Sequence, residues 1–515
     1  MQDATGSWGS LTGLLLVAGD ESRSERDPSR PGDREFCQAL CAAWQRVVWS
    51  VVEAFGDWIA PLTMLRFEQL LQERLRDVGR LIVEHVVNRI EPESPHELRP
   101  EVQFDGEWYR RRQKTPLRNL NCTFGSIALR RCLYQPSESP GRCLFPLERQ
   151  LGILGGVATP ALADEVARAA VDHPQRQVLD SLKERHGVRW SAQTLRKVVA
   201  AVDELYTPQR HEAQVEKVLG WLRVARDSRG KHAPVLSVGR DGLMLPVVRR
   251  DKYQEGATAT VTVYDRQHKR LGTVYLGHMP EAGQETLSEL LTRVLTDVLT
   301  RWDGATPRLN YVTDCGHHPT HYFETVLAQM PDPRRPDRVL RWEWIADYYH
   351  ACEYLSQLAE SLFGLGRAAF AWAKKQRQVL LTKDGGVFRV LRSAGALRTS
   401  RGLVGNESDY HTASHYLRNH AAHMNYAAAR RRGLPIGSGV TEAGCKTLFT
   451  QRFKQSGMKW SLTGGQPILN LRSIALSDIW PTVRDRAWQS YEIPQPPTHT
   501  PKLKSQSRKP RVLAV

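Results

Sequence analysis

The feature that most restricts the fold lies in residues 232–350, where the sequence reads as three strands, a helix, a strand, a helix and a last strand. Strand one is Pro234–Arg240, and strand two, Thr258–Tyr264, alternates apolar and polar residues. Strand three is Arg270–Leu276, reached through a short polar turn. The segment Thr286–Trp302 places Leu287, Leu290, Leu291, Val294 and Val298 on one face, as a helix covering a sheet would. Leu309–Thr313 and Val339–Ile345 supply the last two strands. Three of these strands run into an acid: Asp241 in Gly-Arg-Asp-Gly, Asp314 in Tyr-Val-Thr-Asp, and Asp347 in Asp-Tyr-Tyr-His.

This order is that of the RNase H-like fold, an α/β class in which the first and fourth strands lie side by side and bring their acids together. A third acid, Glu442, follows the turn Gly437-Ser-Gly439 at the start of a basic helical stretch. Two carboxylates at strand ends and one on a later helix suit two Mg²⁺ ions, with Mn²⁺ able to substitute, because magnesium prefers hard oxygen ligands. Asp241 is the natural bridging ligand, with Asp314 and Glu442 holding one ion each. Such a pair of ions cuts and rejoins phosphodiesters. The charge agrees with that substrate: 72 Lys and Arg oppose 55 acids, a net +17, as expected for a protein that binds a polyanion.

The rest of the chain reads as modules. Residues 1–35 mix charge with Ser, Pro and Gly, a pattern of disorder. Residues 36–95 are helical, with Phe67, Leu71, Leu75, Val78, Ile82 and Val86 forming a stripe suited to dimerisation or to packing within the chain. Residues 96–150 form a small β module containing Cys122, Cys132 and Cys143, one ligand short of the usual zinc set and without close pairs. Residues 151–215 carry helix–turn–helix grammar: helices from Pro160 and Gln175, a turn at Gly187, then Ser191 capping a helix that presents Arg196 and Lys197 to DNA. The catalytic core occupies 230–350 and 437–485, split by a helical insertion at 351–436. The tail, 490–515, is basic and flexible.

Eight scattered cysteines imply a reduced compartment, and the short apolar run Leu11–Ala18 lacks the basic residues of a signal peptide. No stretch reaches the ~20 apolar residues of a membrane span. A cytoplasmic, nucleoid-associated protein is expected.

Four segments, Gly239–Gly242, Tyr311–Asp314, Asp347–His350 and Gly437–Glu442, together with Arg452-Phe-Lys-Gln-Ser-Gly-Met-Lys-Trp-Ser461, carry a resemblance. Over about residues 230–480 the chain resembles bacterial insertion-sequence transposases of the DDE type, ISKra group, with an Asp-x-x-His motif similar to that of Mutator-like transposases. The resemblance implies binding of terminal inverted repeats in double-stranded DNA, metal-dependent cleavage and strand transfer into target DNA, and a homo-oligomer of at least two chains. It also implies an insertion ahead of the glutamate helix. In that setting Lys446, one turn after Glu442, meets phosphate, and Arg452, Lys454 and Lys459 extend the basic surface. His350 contacts the DNA end or orients Asp347, which is a rival for the third metal ligand, with a helix cap or a structural pair with His350 as its other roles. Trp460 is expected to pack rather than stack on a base. His317, His318 and His321 suit DNA better than a hard metal. The rival readings are a structure-directed nuclease or resolvase on the same fold, and a non-catalytic DNA-binding derivative.

Overall fold

A computed structural model describes residues 31–55, 60–92, 94–112, 117–136, 142–248, 253–455 and 457–494. Of residues 1–35, expected to be disordered, 1–30 lie outside the described residues, as does the basic tail beyond residue 494, whereas 31–35 correct the expectation: they form the first turn of a helix opened by Pro31. The chain divides between Val86 and Val87 into two compact units.

The first unit contains α1 (Pro31–Phe55) and most of α2 (Pro61–Asn88). The His85 ring stacks on Phe36 with centroids 3.7 Å apart, and its Nε2 lies 3.2 Å from the Asp33 carboxylate. The start of α1 therefore meets the end of α2, and the pair is an antiparallel hairpin rather than one continuous helix.

The second unit opens with β1 (Glu101–Phe104), β2 (Glu107–Arg111), β3 (Leu117–Cys122), β4 (Gly125–Arg130) and β5 (Tyr134–Pro136). These form a three-stranded sheet, β1-β2-β5, and a β3-β4 hairpin turning at Thr123-Phe124. Cys132 is fully buried, and burial raises its thiol to about 11, so it stays a neutral thiol. Cys122 is buried and Cys143 exposed. Among the described residues these cysteines do not group as metal ligands.

After the short α3 (Pro146–Gln150) come α4 (Pro160–Asp172), α5 (Gln175–His186) and α6 (Ala192–Asp227). The helix boundaries follow their local chemistry. Gly187 adopts a left-handed φ of 65° that ends α5, and the Ser191 hydroxyl accepts the Thr194 N–H at 3.1 Å to start α6. The sequence reading closed this module at residue 215, but α6 runs on to Asp227 as one 36-residue helix. Its first half packs with α4 and the C-terminal helices, and its second half lies in the core beneath the main sheet. Through α6 this helical module is thus continuous with the core of the main sheet.

That core has β6 (Val235–Leu245), β7 (Gln254–Tyr264), β8 (Arg270–His278), α7 (Glu285–Arg301), β9 (Arg308–Thr313), α8 (His317–Thr325), the hairpin β10 (Pro331–Asp332) and β11 (Arg335–Val339), and β12 (Trp342–Ala346). The five-stranded mixed sheet has the order β12-β9-β6-β7-β8. β6 is parallel to β9 and β9 to β12, whereas β6-β7 and β7-β8 are antiparallel. The architecture is mixed α/β. Two boundaries differ from the sequence reading. Asp241-Gly242 does not end its strand, because Leu243–Leu245 continue the ladder against Gln254–Gly256. Val339 belongs to the separate β10-β11 hairpin, and the last sheet strand begins at Trp342.

Leu236 and Val238 on one sheet face join Leu287, Leu291, Val294 and Val298 of α7 and Val215, Val218 and Leu222 of α6. Each such fully buried side chain contributes roughly 1.5–3 kcal/mol, so this layer fixes the strand register. Next come α9 (Tyr348–Phe363), α10 (Arg367–Thr382), α11 (Gly386–Arg401), α12 (Glu407–Asn419) and α13 (Tyr426–Arg432), filling the stretch expected to be a helical insertion. α14 (Gly439–Cys445) leads through a π-helical turn, Lys446–Thr450, into α15 (Gln451–Phe453); α16 (Leu462–Leu476) and α17 (Trp480–Gln489) follow. No helix among the described residues is long and apolar enough to cross a membrane.

Candidate active site

Asp314 and Asp347 sit just past the ends of β9 and β12, and Asp241 lies within β6, three residues past its last parallel pairing with β9. The β6-β9 ladder pairs Val235 with Arg308 and Val238 with Tyr311. Continued three residues, that register sets Asp241 opposite Asp314. The β9-β12 ladder ends at Ala346 opposite Thr313, so one more residue sets Asp347 beside Asp314. The Asp347 N–H still donates to the Thr313 carbonyl at 2.8 Å, so this last step follows the ladder. Three aspartates thus form a row across adjacent strands.

α14 lies on the sheet over this row. Gly239 makes the approach possible: a Cβ there would lie 2.0 Å from the Thr441 hydroxyl. Thr441 instead bonds Thr260 at 2.8 Å. One turn later the buried Cys445 thiol meets the Asp241 carboxylate. Thr441 and Cys445 face the sheet, which leaves Glu442, between them on the helix, exposed toward the acidic row.

Each carboxylate has a fixed partner. Asp241 Oδ1 accepts the Gly242 N–H at 2.8 Å, and Asp314 Oδ1 accepts the Gly316 N–H at 2.9 Å. Asp347 is 1% exposed; its Oδ1 caps α9 by accepting the Tyr349 N–H at 2.7 Å. Its Oδ2 meets the hydroxyl of Ser438, which also lies 2.7 Å from Glu442 Oε1. One buried hydroxyl therefore ties the first turn of the glutamate helix to the last acid of the row.

The electrostatics place the groups near one another. Burial is the main cause of the raised Asp241 carboxyl, and the charges of Asp314 and Glu442 push it further up. Burial, with Asp314 and Asp347 nearby, lifts the Cys315 thiol to about 12. Cys445 is raised by burial and by Asp241. Both thiols are held protonated, which leaves the carboxylate oxygens as the charged donors. Among the described residues no three His, Cys, Asp or Glu side chains are already gathered as a metal cage. The carboxylates instead spend oxygens on Gly242, Gly316, Tyr349 and Ser438. By donor type the carboxylates suit a hard divalent cation, since oxygen is their only donor atom and the neighbouring thiols stay protonated.

The other predicted residues separate by exposure. Arg196, Lys197, Lys446, Lys454 and Lys459 are exposed. Arg452 corrects the sequence reading: it is 1% exposed, donates to the Ala170 carbonyl at 3.0 Å and lies over the Trp460 ring at 4.8 Å. Burial lowers its guanidinium to about 10. It fastens α15 to α4 and offers no surface to phosphate. Trp460 packs 4.5 Å from Phe453, in line with the packing role. His350 pairs with Glu353 at 3.3 Å and meets the rings of Tyr354 and Tyr416. Asp347 takes the helix-cap role among those expected for it, and its carboxylate goes to Ser438 and Tyr349 rather than to His350. His317, His318 and His321 sit on α8, with His318 3.9 Å from Glu255.

Sequence reasoning passed over Ser438, Thr441, Cys445 and Tyr416, whose hydroxyl donates to the Asp314 carbonyl at 3.1 Å. The first three lie within four residues of Glu442, and the helical spacing of Ser438 and Cys445 from it was the available signal. Tyr416 lies about a hundred residues from Asp314 and had none. No family model matches the sequence, and no curated protein matches it.

Proposed function

We propose that this protein is a DNA transposase of the DDE type, with an RNase H-like catalytic core built on the five-stranded sheet. The observation that carries the reading is the row of Asp241, within β6, and Asp314 and Asp347, just past β9 and β12, with Glu442 brought over it by α14. The sheet order and the helical stretch between β12 and α14 support it. The net +17 suits double-stranded DNA, both the inverted repeats of an element and its target.

Asp241, Asp314 and Glu442 would hold Mg²⁺ or Mn²⁺, which supplies Lewis acidity at the scissile phosphate and lowers the pKa of an attacking water or 3′-hydroxyl. The chain's own residues bind and orient. Lys446, exposed one turn beyond Glu442, neutralises phosphate beside the acids. Lys454 and Lys459 extend that surface, and Arg196 and Lys197 stand at the exposed start of α6, where a recognition helix meets the major groove. Ser438 and Cys445 keep Glu442 and Asp241 oriented.

The test is strand joining of a labelled element end into plasmid DNA. Asp241→Ala is expected to abolish cleavage and joining while sparing DNA binding. Cleavage without joining in the wild type would favour a nuclease or resolvase. Binding with no cleavage, unchanged by Asp241→Ala, would favour a non-catalytic derivative and refute the proposal.

A further inference from the structure

A cavity of about 290 Å³ lies between the end of α4, the start of α6 and the start of α16. Ala170, Leu195, Val199, Pro467 and Ile468 make its walls apolar, and the Trp460 ring borders it. None of its lining residues is acidic, whereas His173 and Arg196 add basic groups. A buried cation lines it as well. Arg452 is 1% exposed; its Nε donates to the Ala170 carbonyl at 3.0 Å, and its Nη1 meets the Met458 sulfur at 3.8 Å. Its Nη2 has no hydrogen-bond acceptor among the described residues. The charge is short of a partner too. The acid that acts on it, Asp172, is bonded at 2.6 Å to a second buried guanidinium, Arg472, so two cations share one carboxylate. Burial, and then the like charge of Arg472, lower the Arg452 guanidinium. A buried charge without its counter-charge is costly until an anion completes it. α16 turns its N-terminus to the same cavity through Ser461, Thr463 and Gly464. The Ser461 hydroxyl accepts the Gly464 N–H at 3.0 Å, which leaves the N–H groups of Leu462 and Thr463 without an intrahelical acceptor. The start of this 15-residue helix therefore adds partial positive charge.

We propose that this cavity is a binding site for a small aromatic carboxylate, its ring beside Trp460 and its carboxylate on the free Nη2 of Arg452 near the start of α16. The size suits one. A dry cavity of ~150 Å³ takes a benzene ring, so about 290 Å³ holds an acid of one or two rings. A nucleotide would bring ribose hydroxyls to apolar walls that leave them unpaired. An unstacked DNA base is neutral and would leave Arg452 without its counter-charge. The enclosure that keeps Arg452 from a phosphodiester backbone is what suits it to a small acid, because a charge-assisted hydrogen bond is strongest away from water. The ligand would touch α4, α6 and α16 together and so tie the helical module to the last helices. This inference stands on the cavity alone and does not depend on the reading of the acidic row.

Isothermal titration calorimetry of the full chain tests it, with indole-3-acetate as the probe and indole-3-acetamide as its neutral isostere. The wild type is expected to bind one equivalent of the acid, about ten-fold or more tighter than the amide, the range of one hydrogen bond to a charged group. The acid should also raise the thermal unfolding midpoint, and the amide should raise it less. Arg452→Gln keeps a donor for the Ala170 carbonyl and removes the charge; it should bring acid and amide to equal affinity. Ala200→Phe fills the cavity from α6 without touching Arg452, and should abolish binding of both probes in a chain that still unfolds cooperatively. That variant and the wild-type preference decide the matter if Arg452→Gln does not fold. The proposal is overturned if the wild type binds neither probe or binds both equally. It is also overturned if acid binding survives Ala200→Phe, or if a folded Arg452→Gln keeps the preference for the acid.

Discussion

Ser438→Ala should uncouple the glutamate helix from the acidic row. Ser438 is 7% exposed, and its hydroxyl touches two carboxylate oxygens, Asp347 Oδ2 and, at 2.7 Å, Glu442 Oε1. A hydrogen bond to a charged group contributes about 1.5–3 kcal/mol, and removing one partner leaves the other to bear its desolvation. Asp347 bears most of this, because it is 1% exposed and keeps only its cap to Tyr349. Exposed Glu442 can turn to water instead. The alanine variant is therefore expected to lose about 2 kcal/mol of stability, read by urea unfolding. Ser438→Thr, which keeps a hydroxyl, should recover most of that loss. A double-mutant cycle of Ser438→Ala with Asp347→Asn isolates the contact, with an expected coupling of at least ~1 kcal/mol. The functional readout is Mn²⁺ binding to the free protein, followed by electron paramagnetic resonance. Affinity should fall in Ser438→Ala and return in Ser438→Thr. Wild-type stability together with wild-type Mn²⁺ affinity in the alanine variant, or a coupling indistinguishable from zero, would refute the reasoning.

Two further outcomes follow from particular contacts. Gly239→Ala places a Cβ 2.0 Å from the Thr441 hydroxyl and should destabilise by about 1–3 kcal/mol as an overpacked contact, partly relieved by Thr441→Ala, in thermal unfolding and DNA cleavage assays. Arg452→Met should lower stability and leave the salt dependence of DNA binding unchanged, because the guanidinium is buried against Ala170 and Trp460. Lys454→Ala and Lys459→Ala should instead weaken binding and each reduce the slope of log affinity against log salt by roughly one.

The strand pattern of residues 235–346 was legible because a strand against a helical layer must repeat its apolar residues at period two, and its covering helix at three and four. The N-cap of α6 and the glycine ending α5 were legible for the same local reason. The extent of α6 was not. Val215, Val218 and Leu222 look like any helical stripe until the sheet that covers them is in place. Arg452 shows the same limit from the other side. A basic residue in a basic stretch reads as surface, and only the approach of α4 turns it into a buried donor to a backbone carbonyl.

The sequence by itself determined which acids follow or lie in the strands, the order of the main elements between them, and the net charge of +17. These are local or compositional properties, carried by hydrogen-bonding propensity, side-chain periodicity and a sum over residues. The tertiary structure alone decided that Asp347 joins the row with Asp241 and Asp314, and that Ser438 ties it to Glu442. Parallel strands are neighbours only through long crossovers, and α14 returns to the sheet after five helices. Contacts of that range depend on how whole layers pack, so no short stretch of the chain contains them.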